Sequence, residues 1–146
     1  MTFVIIRIFL SLINSNGRNC DSDCELKQKP TTMKIFSFLN DLEPKPEKVL
    51  TKVILETSFS KEIRIQMETG QSMKEHQTPF PIIVHLLKGE IDFGVKGELH
   101  HLHAGDIVSL EGGVPHDLLA KEASIVRLSL SKLDRAERVQ QVAQNS

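Results

Sequence analysis

The sequence predicts an all-β domain, a barrel or a sandwich, followed by one short C-terminal helix. Apolar and polar residues alternate from Val49 onward, and turns rich in glycine or proline interrupt the chain at intervals of about 8–12 residues. Helical spacing of apolar residues appears only after Ser131. A chain of 146 residues is long enough for one hydrophobic core but not for two.

The N-terminal stretch differs from the rest of the chain in composition. It holds an apolar run broken by Arg7, a polar tract without periodicity, and both cysteines, Cys20 and Cys24. We expect residues 1–32 to be a poorly structured extension with three possible origins. They are an over-extended reading frame whose true start is Met33, a secretory signal or anchor, and a genuine flexible arm. Two thiolates are too few for a structural zinc site, so we interpret both cysteines as unpaired.

Residues 33–130 are predicted to form the β domain. Within Lys61–Glu68 every second side chain is apolar, which gives this strand one apolar face and one polar, solvent-facing side. The same pattern recurs from Ile91 up to a glycine-containing turn. Pro44 and Pro46 mark an extended segment ahead of the first strand. An edge strand there could pair with a second copy of the chain, so we expect a homodimer.

Residues 131–146 are predicted to be a helix and tail that pack on the outside of the barrel. Ser131 to Asp134 resembles a capping box with Asp in place of Glu. The apolar residues that follow are spaced at three, at Leu133, Ala136, Val139 and Val142.

Charge and hydropathy exclude two classes of partner. The net charge is -1 and the lysines and arginines are not clustered, so we expect no nucleic-acid surface. The longest apolar run, Phe3–Ile13, is shorter than the roughly 20 residues that cross a bilayer, so we expect no membrane partner and a cytoplasmic protein. Neither a nucleophile elbow nor a phosphate-binding glycine loop is present in the sequence.

Two segments with glycine and histidine carry a family resemblance. The first runs from Gly70 to Gly89 and contains His76; the second runs from Gly105 to Ala120 and contains His116. Their spacing resembles the two motifs of the cupin family, G-x5-H-x-H-x3/4-E-x6-G and G-x5-P-x-G-x2-H-x3-N. The resemblance to small single-domain cupins covers about two thirds of the chain. It implies a double-stranded β-helix, the jelly-roll-like barrel of that family.

The resemblance also implies a degenerate metal site. Cupins usually hold a divalent metal with two His and one Glu from the first motif and one His from the second. Here His76 and His116 match, whereas Thr78 stands at the second His position and Ile82 at the Glu position. Two imidazoles would hold Zn, Fe, Mn, Ni or Cu only weakly. The alternative is a metal-free pocket in which both histidines are hydrogen-bonding groups.

The pocket that this register implies is mainly apolar. Thr78, Ile82 and Leu118 are predicted to line it, since alternate side chains of a strand share one face. Lys74 could offer a positive charge at the mouth, or it could be a solvated loop lysine. His101 and His103 are predicted to face solvent.

Three functions follow as hypotheses, and no catalytic residue is assigned. The first is a barrel that binds a small organic molecule and a weakly held divalent metal. The alternative is a metal-dependent oxygenase or isomerase that uses His76 and His116. The third is a sensory or interaction module, which the lack of a fused DNA-binding or catalytic domain disfavours.

Overall fold

A computed structural model describes residues 33–131 and 136–146. Residues 1–32, with Cys20 and Cys24, and most of the predicted capping box lie outside the described residues. The proposed division at residue 32 therefore stays a prediction. The described elements are β1 (Leu50–Glu56), β2 (Ser60–Met67), β3 (Ser72–His76), β4 (Ile82–Lys88), β5 (Glu90–Val95), β6 (Glu98–His103), β7 (Ile107–Leu110), β8 (His116–Ala120), β9 (Ser124–Ser131) and α1 (Ala136–Gln144).

The strands form two antiparallel sheets, which confirms the predicted all-β class. One sheet has five strands in the order β1-β2-β9-β4-β7, and the other has four in the order β3-β8-β5-β6. Strands distant in sequence are neighbours in both sheets, as in the predicted double-stranded β-helix. Strand β1 lies at the edge of its sheet, where pairing with a second copy was expected. The homodimer itself stays a prediction.

The core lies between the inner faces of the two sheets. In β2, Ile63 and Ile65 are buried, and in register they oppose Leu128 and Val126 of β9, which are buried too. Side chains that are directly opposite on antiparallel strands pack on the same face. The alternation in the sequence therefore identified the inner face correctly.

The outer face of β2 differs from the prediction of a solvent-facing surface. Glu62, Arg64 and Gln66 alternate with the core residues, yet all three are buried. The extended segment ahead of β1 lies over this face: Gln66 donates a hydrogen bond to the Glu43 carbonyl at 2.6 Å. The Arg64 guanidinium donates three more to backbone carbonyls, those of Phe38 at 3.2 Å, Asn40 at 2.6 Å and Asp41 at 2.9 Å.

Glu62 is the buried carboxylate of this outer face, with 7% of its surface exposed. It accepts hydrogen bonds from the Arg127 Nε at 2.8 Å and from the hydroxyls of Ser129 at 2.6 Å and Ser60 at 3.1 Å. Burial alone would raise the pKa of Glu62. The hydrogen bonds and the Arg127 charge outweigh burial and hold that pKa below its ordinary value of 4.5.

This network predicts a loss of stability in acid. Because the pKa of Glu62 is lowered by folding, its contribution is fully present above about pH 4.5 and is lost as the pH falls through the folded-state pKa. We expect Glu62→Gln to be less stable than the parent near neutral pH, and the difference in unfolding free energy to shrink as the pH is lowered below about 4.5. Urea unfolding at a series of pH values measures it. The same difference in unfolding free energy between parent and variant at every pH would contradict the role given to Glu62. Glu98→Gln, at an exposed position, is the control and should show no such pH dependence.

Helix α1 packs against β1 and β3. Its Val139 and Ala143 are buried within the core cluster, and Val142 packs against that cluster. The helix was predicted, and the structure adds that two of its side chains belong to the core cluster. Within the described residues, neither α1 nor any other helix is long and apolar enough to cross a membrane.

Candidate functional site

His76 and His116 lie side by side at one end of the four-stranded sheet. His76 is the last residue of β3 and His116 the first of β8, and the two are direct partners in the strand register. Their ring centroids are 4.3 Å apart and the ring planes make an angle of 57°. Antiparallel pairing of β3 with β8 thus brings together the histidines of the two sequence motifs.

The loops beside these histidines are packed closely together. The Gly113 amide donates a hydrogen bond to the Thr78 carbonyl at 2.6 Å. At Gly112 a Cβ atom would lie 2.4 Å from the Pro79 carbonyl oxygen, so this contact requires glycine. The loop before His116 is therefore fixed against the loop after His76.

Backbone carbonyls determine which nitrogen carries the proton in each of the two imidazole rings. The Nδ1 atom of His76 lies 2.7 Å from the Lys74 carbonyl oxygen, and that of His116 lies 2.9 Å from the Val114 carbonyl oxygen. A carbonyl can only accept a hydrogen bond, so Nδ1 carries the proton in each ring. In the neutral form, Nε2 then carries the lone pair of each ring and can accept a proton or bind a metal.

His116 is anchored more deeply than His76. It is 3% exposed, and its ring stacks on Phe93 of β5, with centroids 5.8 Å apart and planes at 24°. Phe93 is itself fully buried. His76, by contrast, is only half-buried.

A cavity of about 20 Å³ adjoins the two rings. That volume holds about one water molecule. Apart from Thr78 and the two imidazoles, its lining is apolar and comes from both sheets and from α1: Ile65, Met73, Ile82, Val84, Leu118, Leu128 and Val139. The site is therefore a small apolar chamber with a pair of histidines in its wall.

Comparison with known proteins identifies the barrel. The family model described as "Cupin domain" matches residues 63–131, which span β2 to β9 and include both histidines. This part of the chain is a cupin domain. No curated protein matches its sequence.

Solved structures share the cupin fold with this chain at low sequence identity. KdgF from Halomonas sp. is 19% identical, with a TM-score of 0.58 over 66% of this chain and 90% of that one. An RmlC-like cupin from Desulfovibrio desulfuricans is 18% identical, with a TM-score of 0.62 over 68% and 96%. The DMSP lyase DddQ from Ruegeria pomeroyi DSS-3 is 22% identical, with a TM-score of 0.54 over 61% and 50%. These similarities show the fold alone.

Most of the residues predicted to form the cupin pocket line one cavity. Thr78, Ile82 and Leu118 lie around it together with the two histidines. Lys74 does not line it: its side chain is exposed and donates a hydrogen bond to the Asn145 carbonyl at 3.0 Å. Whether these residues bind a ligand stays a prediction.

The donor set of this cupin fits a metal poorly. In the described parts of the chain, no group of three or more His, Cys, Asp or Glu side chains is placed to hold a metal ion. Ile82 supplies no donor atom, and the Thr78 hydroxyl already donates to the Phe80 carbonyl. Iron and manganese prefer five or six ligands and commonly a carboxylate, so the described residues do not fit them. Zinc or copper could bind two imidazoles weakly.

The second histidine cluster lies away from the cavity. His101 and His103 are exposed, as predicted. The Nδ1 atom of His101 lies 2.5 Å from an oxygen of Asp92, a buried carboxylate on the neighbouring strand β5. The only hint of this pair in the sequence is a charged residue between two core positions, Ile91 and Phe93.

Proposed function

We propose that this cupin binds a small organic molecule whose apolar body contacts the barrel walls and whose polar end contacts His76 and His116. One observation carries the proposal: two imidazoles, each with Nδ1 fixed by a backbone carbonyl, lie in the wall of an otherwise apolar cavity. Binding sites for small molecules are typically apolar with a few well-placed polar groups.

The fixed tautomer, with a proton on Nδ1 of each ring, defines the chemistry of the polar end. A neutral imidazole with a protonated Nδ1 accepts a hydrogen bond at Nε2, so it suits a hydroxyl, a carboxylic acid or an N–H group. The protonated imidazole donates at the same atom and suits a carboxylate. A monocarboxylic acid or an alcohol with a short alkyl chain therefore fits the site best, because its polar end can pair with an imidazole nitrogen while its chain contacts the apolar walls.

The binding test uses hexanoate and hexanol as probes. As either probe is titrated into the parent protein, the methyl NMR signals of Ile82 and Leu118, on the cavity wall, are expected to shift until the site is saturated. The shift should be the same when a chelator removes any metal. The double variant His76→Ala/His116→Ala is expected to bind about tenfold to a hundredfold more weakly, since it loses hydrogen bonds to groups that can be charged. The control His103→Ala alters an exposed imidazole and should bind normally. If neither hexanoate nor hexanol gives a saturable shift in the parent protein, the proposal is contradicted.

The same hydrogen bonds favour a second candidate, a metal-dependent enzyme of the oxygenase or isomerase type. Histidines that bind a metal through one ring nitrogen commonly donate a hydrogen bond from the other N–H to a carbonyl or a carboxylate. His76 and His116 each donate such a bond from Nδ1 to a backbone carbonyl. Elemental analysis of the parent and the double variant separates the candidates. Near-stoichiometric metal in the parent alone would favour the enzyme, whereas probe binding by metal-free protein favours the binding module.

A further inference from the structure

Helix α1 forms part of the cavity wall. Val139 lines the cavity together with both histidines and is buried, although the helix follows the last strand and belongs to neither sheet. Ala143, one turn further, is also buried in the core cluster. The C-terminal helix therefore covers one side of the cavity.

The cavity in this structure is too small for the proposed ligand. A volume of about 20 Å³ admits about one water molecule. The remaining apolar walls are strand residues held in hydrogen-bonded ladders, which cannot separate without breaking a sheet. Among the described apolar residues of the lining, Val139 is the one whose element can leave while both sheets remain intact.

The attachments of α1 to the barrel are limited in the described residues. The helix has nine residues, and isolated helices of that length are marginal in water. Its described apolar contacts come from small side chains, those of Val139, Val142 and Ala143. The chain end is fastened at Lys74, whose amide donates to the Ser146 hydroxyl and whose ammonium donates to the Asn145 carbonyl, both at 3.0 Å.

We propose that α1 is a displaceable lid: it undocks from the barrel while the sheets stay folded, and so opens the cavity to ligand at His76 and His116. Segments with few buried contacts open at lower free energy than the core of a domain. Lys74 acts as a latch on this lid, through the two hydrogen bonds to the chain end. The inference rests on the proposed binding function, but its test needs no ligand.

The test measures access to His116 with diethyl pyrocarbonate, an imidazole-modifying reagent, and follows each histidine by mass spectrometry. Val139→Ser removes the main apolar contact of the lid and leaves the net charge unchanged. We expect it to raise the modification rate of His116, relative to exposed His103, about tenfold to a hundredfold. Gln141→Ser, on the exposed side of the same helix, is the matched control and should leave the rate unchanged.

A second variant distinguishes lid opening from a simple hole in the wall. Lys74→Ala weakens the latch without altering the cavity lining, and it should raise the His116 rate about two- to tenfold, with Lys88→Ala as the exposed control. Unchanged His116 rates in a folded Lys74→Ala variant would overturn the lid.

Hydrogen–deuterium exchange of the parent protein tests the lid without any substitution. Amides of α1 should exchange at least about a hundredfold faster than those of β2 and β9, since undocking does not require unfolding of the barrel. If α1 is protected as strongly as β2 and β9, the helix opens only with the whole domain and the proposal is wrong. A lid that opens while hexanoate fails to bind would instead refute the binding function alone.

Discussion

Phe93→Ala is expected to lower the free energy of unfolding by about 3–5 kcal/mol. Phe93 is fully buried in the middle of β5, and its ring stacks on that of His116. Removal of the ring leaves a cavity between two hydrogen-bonded sheets, which can collapse only partly. Urea or guanidinium unfolding, followed by circular dichroism, measures the change.

Phe59 provides the matched control, since it is the same residue type and is 74% exposed. Phe59→Ala should change the free energy of unfolding by no more than about 0.5 kcal/mol. A loss below about 1 kcal/mol in Phe93→Ala would show that the core around β5 tolerates the missing ring. Such a result would also weaken the view that Phe93 positions His116.

The alternation of apolar and polar residues was sufficient to predict the all-β class, and the cupin resemblance implied the barrel. Ile63 and Ile65 alternate with polar residues, and such a pattern is stable only as a strand with one buried face. The two histidines were expected to share a site because the cupin resemblance places His76 in one motif and His116 in the other, and the register of β3 with β8 pairs them directly. Local patterns of this kind need no knowledge of what covers the other face.

The sequence could not predict which polar side chains would be covered. Arg64 lies on the face that alternation assigns to solvent, yet it is buried by carbonyls from residues 23 to 26 positions earlier in the chain. Lys74 lies two residues before His76, but it is held by the chain end, 71 and 72 positions later. Both outcomes depend on where an irregular segment comes to lie, and hydrophobic periodicity carries no information about that.

For helix α1, too, the sequence pattern did not predict which surface its side chains would pack against. The spacing of its valines predicts a helix with one apolar face, and that much was confirmed. The spacing does not say which surface this face covers. Val139 packs over the histidine cavity, so the size of the site and the access to it depend on an element whose docking position the spacing does not give.

Arg64→Met is expected to cost about 2–4 kcal/mol of unfolding free energy. Arg64 is 5% exposed, and its guanidinium donates to three carbonyls of the segment ahead of β1. Methionine retains the apolar part of the side chain but offers no donor, so the segment loses these charge-assisted hydrogen bonds. Chemical unfolding gives the loss, and hydrogen–deuterium exchange of residues 38–46 shows whether the segment detaches from β2.

Lys52 is the control for this substitution, because it opposes Arg64 in the strand register and is exposed. Lys52→Met should be nearly neutral, whereas Arg64→Lys should recover only part of the lost stability, since an ammonium cannot reproduce the planar guanidinium that reaches three carbonyls at once. Equal stability of Arg64→Met and Lys52→Met, with unchanged exchange in residues 38–46, would show that other contacts hold the segment. A large loss with faster exchange would instead establish that one buried arginine fastens the N-terminal segment to the outer face of the barrel.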